Sequence, residues 1–413
     1  MKSSALIRLC VTLLIFLGGS SAALAQRPVQ LGFVYILSGA FASYGENARQ
    51  GALMAVEEIN RQGGINGRLV ITWFENSRSR PDIAARAIQA LVREKQVDCL
   101  IGIDSSSVAQ HMAPVVAGLK TPLIITNAAT AVVTGTLCNR YVFRVSANLA
   151  QTTKAAAILA ADTGAQTWST VGKKHTYSIQ SWDYFRKYLQ TLDPGIKTLP
   201  AEKAVLIPSR KKDFTPYIET ILKQEADGIL VTLWGGYLRR FITQANAMGM
   251  FTGRRRVLFT MGASMDNLTG LGDNLPENLW VGAPYWFLAH GSDLNKQFVA
   301  NFRTRFKTFP SHQAHGAYGA VYAFKAAAEK AGSTEKEAVI AALEGLTVEL
   351  PGGRTTFRPE DHQAVTDLWW GRTFKDPAYP MRILKPLKRF RGADITRPVA
   401  ETGCTLKPKP AAP

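Results

Sequence analysis

The feature that most constrains the fold of this sequence is a regular alternation of short apolar runs with helical patterns. The run "VQLGFVYIL" (29–37) predicts a buried strand, and the segment "NARQGALMAVEEINRQGG" after it predicts a helix. In that helix Ala48, Ala52, Val56 and Ile59 recur at spacings of three and four, which builds one apolar stripe. This pair of patterns repeats along the chain, so the sequence predicts parallel sheets that are covered by helices on both faces.

The length of the chain and the order of these units predict two lobes. The chain has 413 residues, and a domain typically contains about 100–200 residues. A second strand–helix series begins after "YVFRVS", and apolar helices return late, which predicts lobes made of discontinuous segments. The final segment is rich in proline and basic residues and is predicted to be irregular. We predict a lobe 1 of residues 26–145 plus 288–350, a lobe 2 of 146–287 plus 351–400, and a C-terminal tail of 401–413.

The first residues indicate an export signal rather than a part of the fold. Lys2 and Arg8 accompany a short apolar stretch, and "ALA" (23–25) is a cleavage pattern of small residues. The apolar stretch is shorter than the roughly 18 residues of a membrane span. We therefore predict a cleaved signal peptide of residues 1–25 and an exported protein.

The net charge of +18 raises nucleic acids and membrane surfaces as partners. The basic residues are spread along the chain, except for Arg254–Arg256 and the segment from Lys385 to Arg397. The sequence carries no fold motif of a nucleic-acid reader. A basic exported protein without a nucleic-acid partner is the prediction.

Three cysteines follow the predicted cleavage site, and an exported protein can form disulfides. Cys99 lies inside an apolar run and is predicted to be a buried thiol. Cys138 and Cys404 both lie in turn-like sequence and are the favoured pair. A disulfide between them would attach the C-terminal tail to the rest of the fold.

Hydroxyl side chains follow two neighbouring strands of the first lobe. Ser105, Ser106 and Ser107 come after the apolar run "VDCLIGI" and begin a helix, and Thr130 lies in "TNAATA" after the next strand. One hydroxyl can cap the helix, and the others can face a carboxylate, because a helix N-terminus favours negative charge. In open α/β sheets ligands bind at the carboxyl ends of the strands, so these positions predict a binding site.

Aromatic residues occupy matching positions in the second lobe. Tyr177 in "HTYSIQSW" and the pair Trp234 and Tyr237 in "TLWGGYLRR" all follow predicted strands. Aromatic rings supply flat apolar walls to a ligand, although Trp234 could equally be a core residue and Tyr237 an ordinary helix-surface residue.

An enzyme is the less favoured alternative. Ser264 in "GASMD" lacks the second glycine of a nucleophile elbow. His111 follows Ser106 by five residues and is predicted on the exposed side of a helix. Phosphate-binding, dinucleotide-binding and paired-histidine motifs are missing from the sequence, so no cofactor and no metal are predicted. An esterase or amidase built on Ser106 or Ser264 stays open.

Four segments, taken in order, resemble the branched-chain amino-acid binding proteins of ABC importers, which are type I periplasmic solute-binding proteins. They are "GFVYILSGAFASYGENARQGALMAVEEINRQGGINGR", "IGIDSSSVAQHMAPVV", "TPLIITNAATA" and "LWGGYLRRFITQANAMG". The resemblance implies an α/β fold of two Rossmann-like lobes with parallel sheets, joined by three crossovers into a clamshell. It also implies a periplasmic location, a small-molecule ligand between the lobes and an ABC permease in the inner membrane as partner.

The resemblance also implies roles for matched positions. Ser105 and Thr130 would hold the carboxylate of the ligand, and the backbone of Ala128 would accept a hydrogen bond from its amino group. Tyr44 would flank the ligand side chain, while Tyr177 and Tyr237 would close over it from the second lobe.

Two departures from the family pattern bear on the ligand. Leucine- and isoleucine-binding members carry an acidic residue where this chain has Ala263 and Ser264, and its nearest carboxylate there is Asp266. Ser178 stands where the family often has glycine. Because a buried ammonium without a counter-charge is costly, an aromatic or short organic acid fits at least as well as an aliphatic amino acid, and amides and urea-like compounds stay open. A ligand sensor that reports to a membrane partner is the alternative to a transport protein.

Overall fold

A computed structural model describes residues 27–406 of the chain. The predicted signal peptide and the last seven residues of the predicted tail lie outside the described residues. The strands are β1 (Val29–Tyr35), β2 (Val70–Asn76), β3 (Cys99–Gly102), β4 (Leu123–Ile125), β5 (Val142–Arg144), β6 (Thr167–Lys173), β7 (Lys197–Thr198), β8 (Val205–Ile207), β9 (Gly228–Thr232), β10 (Arg256–Phe259), β11 (Trp280–Ala283), β12 (Thr347–Leu350), β13 (Gly353–Phe357), β14 (Ala364–Val365), β15 (Leu368–Phe374) and β16 (Ile383–Phe390).

The helices alternate with these strands along most of the chain, as the sequence pattern predicts. They are α1 (Ala42–Arg61), α2 (Pro81–Arg93), α3 (Ser106–Gly118), α4 (Leu149–Ala161), α5 (Thr176–Leu192), α6 (Thr215–Lys223), α7 (Gly235–Ala247), α8 (Met265–Leu271), α9 (Asp293–Phe306), α10 (His312–Ala331), α11 (Lys336–Leu343) and α12 (Gly392–Ile395).

Lobe 1 is built on a five-stranded parallel sheet in the order β2-β1-β3-β4-β5. Helices α1 to α3 and the late helices α9 to α11 belong to this lobe, and α10 packs closely on α1. The approach of these two helices depends on Gly51, because a Cβ atom there would lie 2.1 Å from the backbone oxygen of Ala314. Close packing of α10 on α1 therefore explains why this late segment of the chain belongs to lobe 1.

Lobe 2 is built on a larger sheet in the order β16-β15-β11-β10-β9-β6-β7, with β8 also paired to β6. Its central strands are parallel, and α4 to α8 and α12 cover it. The capping box between Asn148 and Gln151 begins α4 immediately after the chain leaves lobe 1.

The C-terminal region differs from its predicted irregular structure. β15 pairs antiparallel with β11, and β16 pairs antiparallel with β15, so two long strands extend the sheet of lobe 2. In β15 the side chains of Leu368, Trp370 and Thr373 are buried. The basic and proline-rich composition of β16 suits the edge of a sheet, where unpaired backbone groups and charged side chains face solvent.

The chain crosses between the lobes three times, after β5, after β11 and after β14. The predicted boundary at 350/351 falls inside the hairpin of β12 and β13, and β14 continues that small sheet. A bridge between Arg144 and Gln363 ties the segment just before β14 to the end of β5. We therefore propose that the third crossover lies at residues 366–367, between β14 and β15.

A disulfide joins Cys138 and Cys404, whose Cα atoms lie 5.6 Å apart. It attaches the segment that follows β16 to the loop between β4 and β5 of lobe 1. Cys99 is a buried free thiol in β3.

Candidate ligand site between the lobes

The carboxyl ends of the central strands of both sheets face one another across the gap between the lobes. A small cavity lies there, and we call it the cleft cavity. Each of its lining residues outside α1 follows directly on a strand, as expected for open α/β sheets. The lining residues are Tyr44, Asp104, Ser106, Asn127, Ala129, His175, Tyr177, Trp234 and Met261.

The three serines at the start of α3 have different partners. Ser105 occupies the N-cap position, but its Oγ lies 3.0 Å from Ser107 Oγ and caps no backbone N–H group. Ser106 Oγ accepts a hydrogen bond from the backbone N–H of Thr130 and lines the cleft cavity. One serine thus links the loops after β3 and β4, while the other two pair with each other.

The backbone N–H groups of the first turn of α3 are available to a ligand. None of the hydrogen bonds among residues 27–406 uses the N–H groups of Ser106, Ser107 or Val108. Free N–H groups and the helix dipole make such a turn favourable for an anion.

Arg144 holds the loop after β4 in place, a role that the sequence did not suggest. Its side chain is fully buried and donates hydrogen bonds to the backbone oxygens of Ala128 and Thr130. Burial lowers the pKa of Arg144 to about 9. The carbonyl of Ala128 thus already accepts a hydrogen bond within the protein, and the neighbouring Ala129 lines the cavity; the predicted ligand contact of Ala128 remains untested.

The hydroxyl of Thr130 lies between the lobes. Gln110 Nε2 donates to Thr130 Oγ1, and Thr130 Oγ1 donates to Gln180 Oε1 in α5, each over 3.0 Å. Thr130 is fully buried and does not line the cleft cavity. Its predicted contact with a ligand carboxylate is likewise untested.

Lobe 2 contributes a mostly aromatic wall. The hydroxyl of Tyr177 lies 2.8 Å from Thr260 Oγ1, which fixes the ring over the end of β10. Trp234 stacks on Phe41 of lobe 1 with a ring-centroid distance of 3.9 Å, and its Nε1–H has no hydrogen-bond partner among the described residues. Tyr237 accepts a hydrogen bond from the backbone of Arg210 and lies outside the cleft cavity.

Two further polar atoms predicted from sequence near the site are buried without partners in the described part of the chain. They are the hydroxyl oxygen of Tyr44, which lines the cavity, and Ser264 Oγ at the start of α8. Buried polar atoms normally have a hydrogen-bond partner, so each unpaired one calls for an explanation. The Tyr44 hydroxyl has Ser264 and the backbone of Gly235 as polar neighbours, so these groups can pair with one another as well as with a ligand.

The two lobes touch at the mouth of the cleft as well. Ser43 Oγ donates to Asp266 Oδ2 over 2.8 Å, from α1 to α8. Gly235 has φ +56°, and a Cβ atom there would lie 2.8 Å from the ring of Phe41. A glycine is therefore needed for the close approach of the two lobes at this point.

Asp104 and His175 are lining residues that the sequence reasoning missed. Burial raises the pKa of Asp104 to about 7, and burial together with nearby Lys173 lowers the pKa of His175 to about 4. The position of Asp104 between a buried strand and the serines could have signalled its role. His175 caps α5 through its Nδ1, which accepts from the N–H of Tyr177.

A second small cavity lies beside the crossovers, and we call it the hinge cavity. It shares Asn127, Ala129 and Met261 with the cleft cavity. His312 at the start of α10 lines it, and neither ring nitrogen of His312 has a partner among the described residues. Burial lowers the pKa of His312 to about 3, so the ring is neutral at ordinary pH.

The residues of the enzyme alternative do not form a catalytic pair. His111 is exposed, and its Nδ1 lies 2.8 Å from the backbone oxygen of Ser107 in the preceding turn. Ser106 Oγ instead meets the N–H of Thr130.

Of the predicted ligand residues, Tyr44, Ser106, Tyr177 and Trp234 line the cleft cavity together. Ser105, Ser107, Ala128, Thr130, Tyr237 and Ser264 do not line it. No described helix is long and apolar enough to cross a membrane.

Two α/β lobes that enclose a cavity at facing sheet ends define a clamshell binding protein. Residues 28–376 match the profile of the periplasmic binding protein family, and the chain belongs to that family. It is 25% identical over 344 residues to the leucine-, isoleucine-, valine-, threonine- and alanine-binding protein of Pseudomonas aeruginosa, covering 82% of this chain and 88% of that protein.

Two solved structures show the same fold. An amino-acid ABC transporter substrate-binding protein from Pseudomonas fluorescens Pf-5 has a TM-score of 0.80 and 21% identity, covering 92% of this chain and 100% of that one. A solute-binding protein of an ABC transporter from R. palustris, in complex with 4-hydroxybenzoate, has a TM-score of 0.78 and 20% identity, covering 88% and 97%. These likenesses show that the chain has the two-lobed fold of a periplasmic binding protein, in agreement with its family match.

Proposed function

We propose that this protein captures a small carboxylate-bearing ligand, an amino acid or an aromatic or other organic acid, and delivers it to an ABC permease in the inner membrane. The ligand would lie in the cleft cavity, and the lobes would close over it by a hinge motion. The proposed process is binding and release without covalent chemistry.

The observation that carries this proposal is a set of unused hydrogen-bond donors at one cavity. The first turn of α3 offers free N–H groups beside Ser106, and Trp234 offers an unpartnered indole N–H from the opposite lobe. A carboxylate accepts several hydrogen bonds at once and gains from the helix dipole. Contacts from both lobes also explain how a ligand would stabilise the closed form, because only the closed form makes all of them.

The proteins reported above are compatible with this range of ligands. The name of the Pseudomonas aeruginosa relative specifies aliphatic amino acids and threonine, and the R. palustris structure holds an aromatic acid. Tyr44, Tyr177 and Trp234 offer apolar ring faces that suit either kind of side chain.

A thermal-shift screen of amino acids, aromatic acids, dicarboxylates and amides tests the ligand class. A ligand that binds only the folded protein raises the melting temperature. At a concentration of 100 times its Kd, it adds about 2.7 kcal/mol to the free energy of unfolding. We expect a carboxylate among the hits, with affinity confirmed by calorimetry. Hits confined to compounds without a carboxylate would contradict the proposed ligand class.

Delivery to a permease needs a separate measurement in cells. Deletion of the gene for this chain should reduce uptake of the radiolabelled ligand, and the wild-type gene should restore it. A gene that encodes the Trp73→Phe variant should restore uptake as well as the wild-type gene does. Trp73 donates through Nε1 to Gln30 on the outer edge of lobe 1, and it does not line the cavity. Unchanged uptake in the deletion strain would contradict delivery of the ligand to a permease, while leaving ligand binding as a separate result.

A further inference from the structure

Among residues 27–406, Asp104 is the one acidic residue that lines the cleft cavity, and no lysine or arginine of this range lines it. Its Oδ2 accepts a hydrogen bond from the backbone N–H of Ile36 over 2.9 Å, and Oδ1 accepts a long one of 3.4 Å from Asn127 Nδ2. A carboxylate has about four acceptor positions, so half of them have no donor from the protein. Burial without a cationic partner is also what raises the pKa of this group.

The walls around Asp104 favour a cation as well. Tyr44, Tyr177 and Trp234 line the same cavity, and the faces of aromatic rings attract cationic nitrogen, most strongly in a tryptophan. His175 is the remaining ionisable nitrogen in the lining, and it is neutral because burial lowers its pKa to about 4. The lining therefore combines one acidic side chain with aromatic rings, which together favour a cationic group on the ligand.

The donors of the cavity point to a second group on the ligand. The indole N–H of Trp234 is buried, with 6% exposure, and lacks an acceptor among residues 27–406. This N–H group and the free N–H groups in the first turn of α3 need a hydrogen-bond acceptor on the ligand. The carboxylate of Asp104 needs a hydrogen-bond donor on the ligand. Asp104 and Ser106 are two residues apart and line the same cavity, so one small ligand with a cationic nitrogen next to its carboxylate, such as an amino acid, can reach both.

We propose that Asp104 is a specificity-determining residue that pairs with a cationic nitrogen next to the ligand carboxylate, so that the site takes a zwitterion. This inference rests on the proposed function and narrows its ligand class. It also supplies from lobe 1 the counter-charge that the sequence lacks after β10, where Ala263 and Ser264 stand and the nearby Asp266 is engaged by Ser43.

Matched ligand pairs that differ only in the ammonium group provide the test. We would titrate the wild-type protein by calorimetry with L-leucine and 4-methylpentanoate, and with L-phenylalanine and 3-phenylpropanoate. The amino acid of at least one pair should bind about 10- to 100-fold more tightly than its desamino partner, because hydrogen bonds to charged groups are the stronger ones.

Variants then assign the difference to Asp104. Asp104→Asn keeps an oxygen acceptor for Ile36 but removes the charge, and it should reduce that preference to about threefold or less. The control is Asp98→Asn, a buried acid in the same lobe that pairs with Arg27 outside the cavity, and it should keep the preference. Thermal unfolding confirms that both variants are folded.

The possible results separate this inference from the proposed function. Desamino acids that bind as well as or better than their amino acids, or an unchanged preference in folded Asp104→Asn, would overturn the role of Asp104 and leave a carboxylate-binding protein. Failure of all four probes and of the wider carboxylate screen would overturn both the proposed function and this inference.

Discussion

The two faces of the cleft are built in opposite ways. On lobe 1 the polar groups are joined to one another: Ser105 to Ser107, Ser106 to Thr130, and Asp104 to Ile36. On lobe 2 the wall is aromatic, and Trp234 has an indole N–H without a partner in the described part of the chain.

This difference indicates that the two lobes contribute to ligand binding in different ways. The hydrogen-bonded loops of lobe 1 are held in place before a ligand arrives, which lowers the entropy cost of orienting it. The rings of lobe 2 offer apolar contact area rather than directional hydrogen bonds. They contribute fully to ligand affinity only when the lobes are closed. Substitutions on lobe 2 should therefore change affinity for every ligand, and those on lobe 1 should change selectivity as well.

The largest effect is expected from Trp234→Ala on lobe 2. Loss of this ring removes an apolar wall, an N–H donor and the stack on Phe41, so affinity should fall about 100-fold, equivalent to about 3 kcal/mol. Calorimetry with the ligand found in the screen measures it. Trp73→Ala outside the cavity is the control, and an equal loss in both variants would refute the importance of the lobe 2 wall.

Histidines with lowered pKa values lie in both lobes, and these should make stability depend on pH: they are His312 and His315 at the hinge cavity and the partly buried His175 at the cleft cavity. Burial lowers the pKa of His312 to about 3 and that of His175 to about 4, whereas an unfolded histidine has a pKa of about 6.5. The unfolded chain therefore binds more protons below pH 6.5, and stability is lost as the pH falls. At pH 4.5 the loss per fully neutral histidine is about 2–3 kcal/mol.

Unfolding at pH 4.5 and pH 7.5 should show this loss in the wild type. His312→Gln and His175→Asn should each reduce the difference, and by similar amounts, because both pKa values lie below 4.5. Asn at position 175 can still cap α5, which separates the charge effect from the cap. The same pH dependence in His312→Gln as in the wild type would show that His312 is not its source.

A tenfold effect is expected from Ser106→Ala on lobe 1. The N–H of Thr130 loses its acceptor and the two site loops lose their link, which costs about 1.4 kcal/mol, or tenfold in affinity. Ser77→Ala is a matched control, since Ser77 is also buried after a strand of this sheet but does not line the cavity. A loss in Ser106→Ala no greater than in the control would contradict the role of the loop link.

The smallest effect is expected at the contact between the lobes. Ser43→Ala removes the hydrogen bond to Asp266, so the closed form loses about 0.5–1 kcal/mol and affinity falls about two- to fivefold. Small-angle X-ray scattering without ligand should show a larger radius of gyration than in the wild type. Thr347→Ala, which breaks a bond within the small sheet of β12 and β13, should change neither quantity.

The sequence predicted the elements that depend on local pattern. The apolar stripe of α1, the strands β1 to β4 and the start of α3 at the serines follow from residue type and spacing, although no serine side chain caps α3. The antiparallel strands β15 and β16 were missed, because β15 pairs with β11 far away in the chain and the composition of the segment resembles a loop.

Residue type and position at strand ends pointed to Ser106, Tyr177 and Trp234, and the family resemblance added Tyr44; all four line the cleft cavity, and their contacts with a ligand stay predictions. The sequence reasoning passed over His175, because an isolated histidine has no local signature, and over Asp104, because that loop was interpreted only through its hydroxyls. Their significance arises from burial and from the other lobe.

The sequence by itself determined the alternation of strands and helices, because apolar periodicity and capping act between residues close in the chain. Only the tertiary structure decided which polar atoms remain without partners in the cleft, since residues more than 100 positions apart, such as Asp104 and Trp234, meet there. Burial and charge at such a meeting point depend on the packing of whole lobes, and no short segment encodes them.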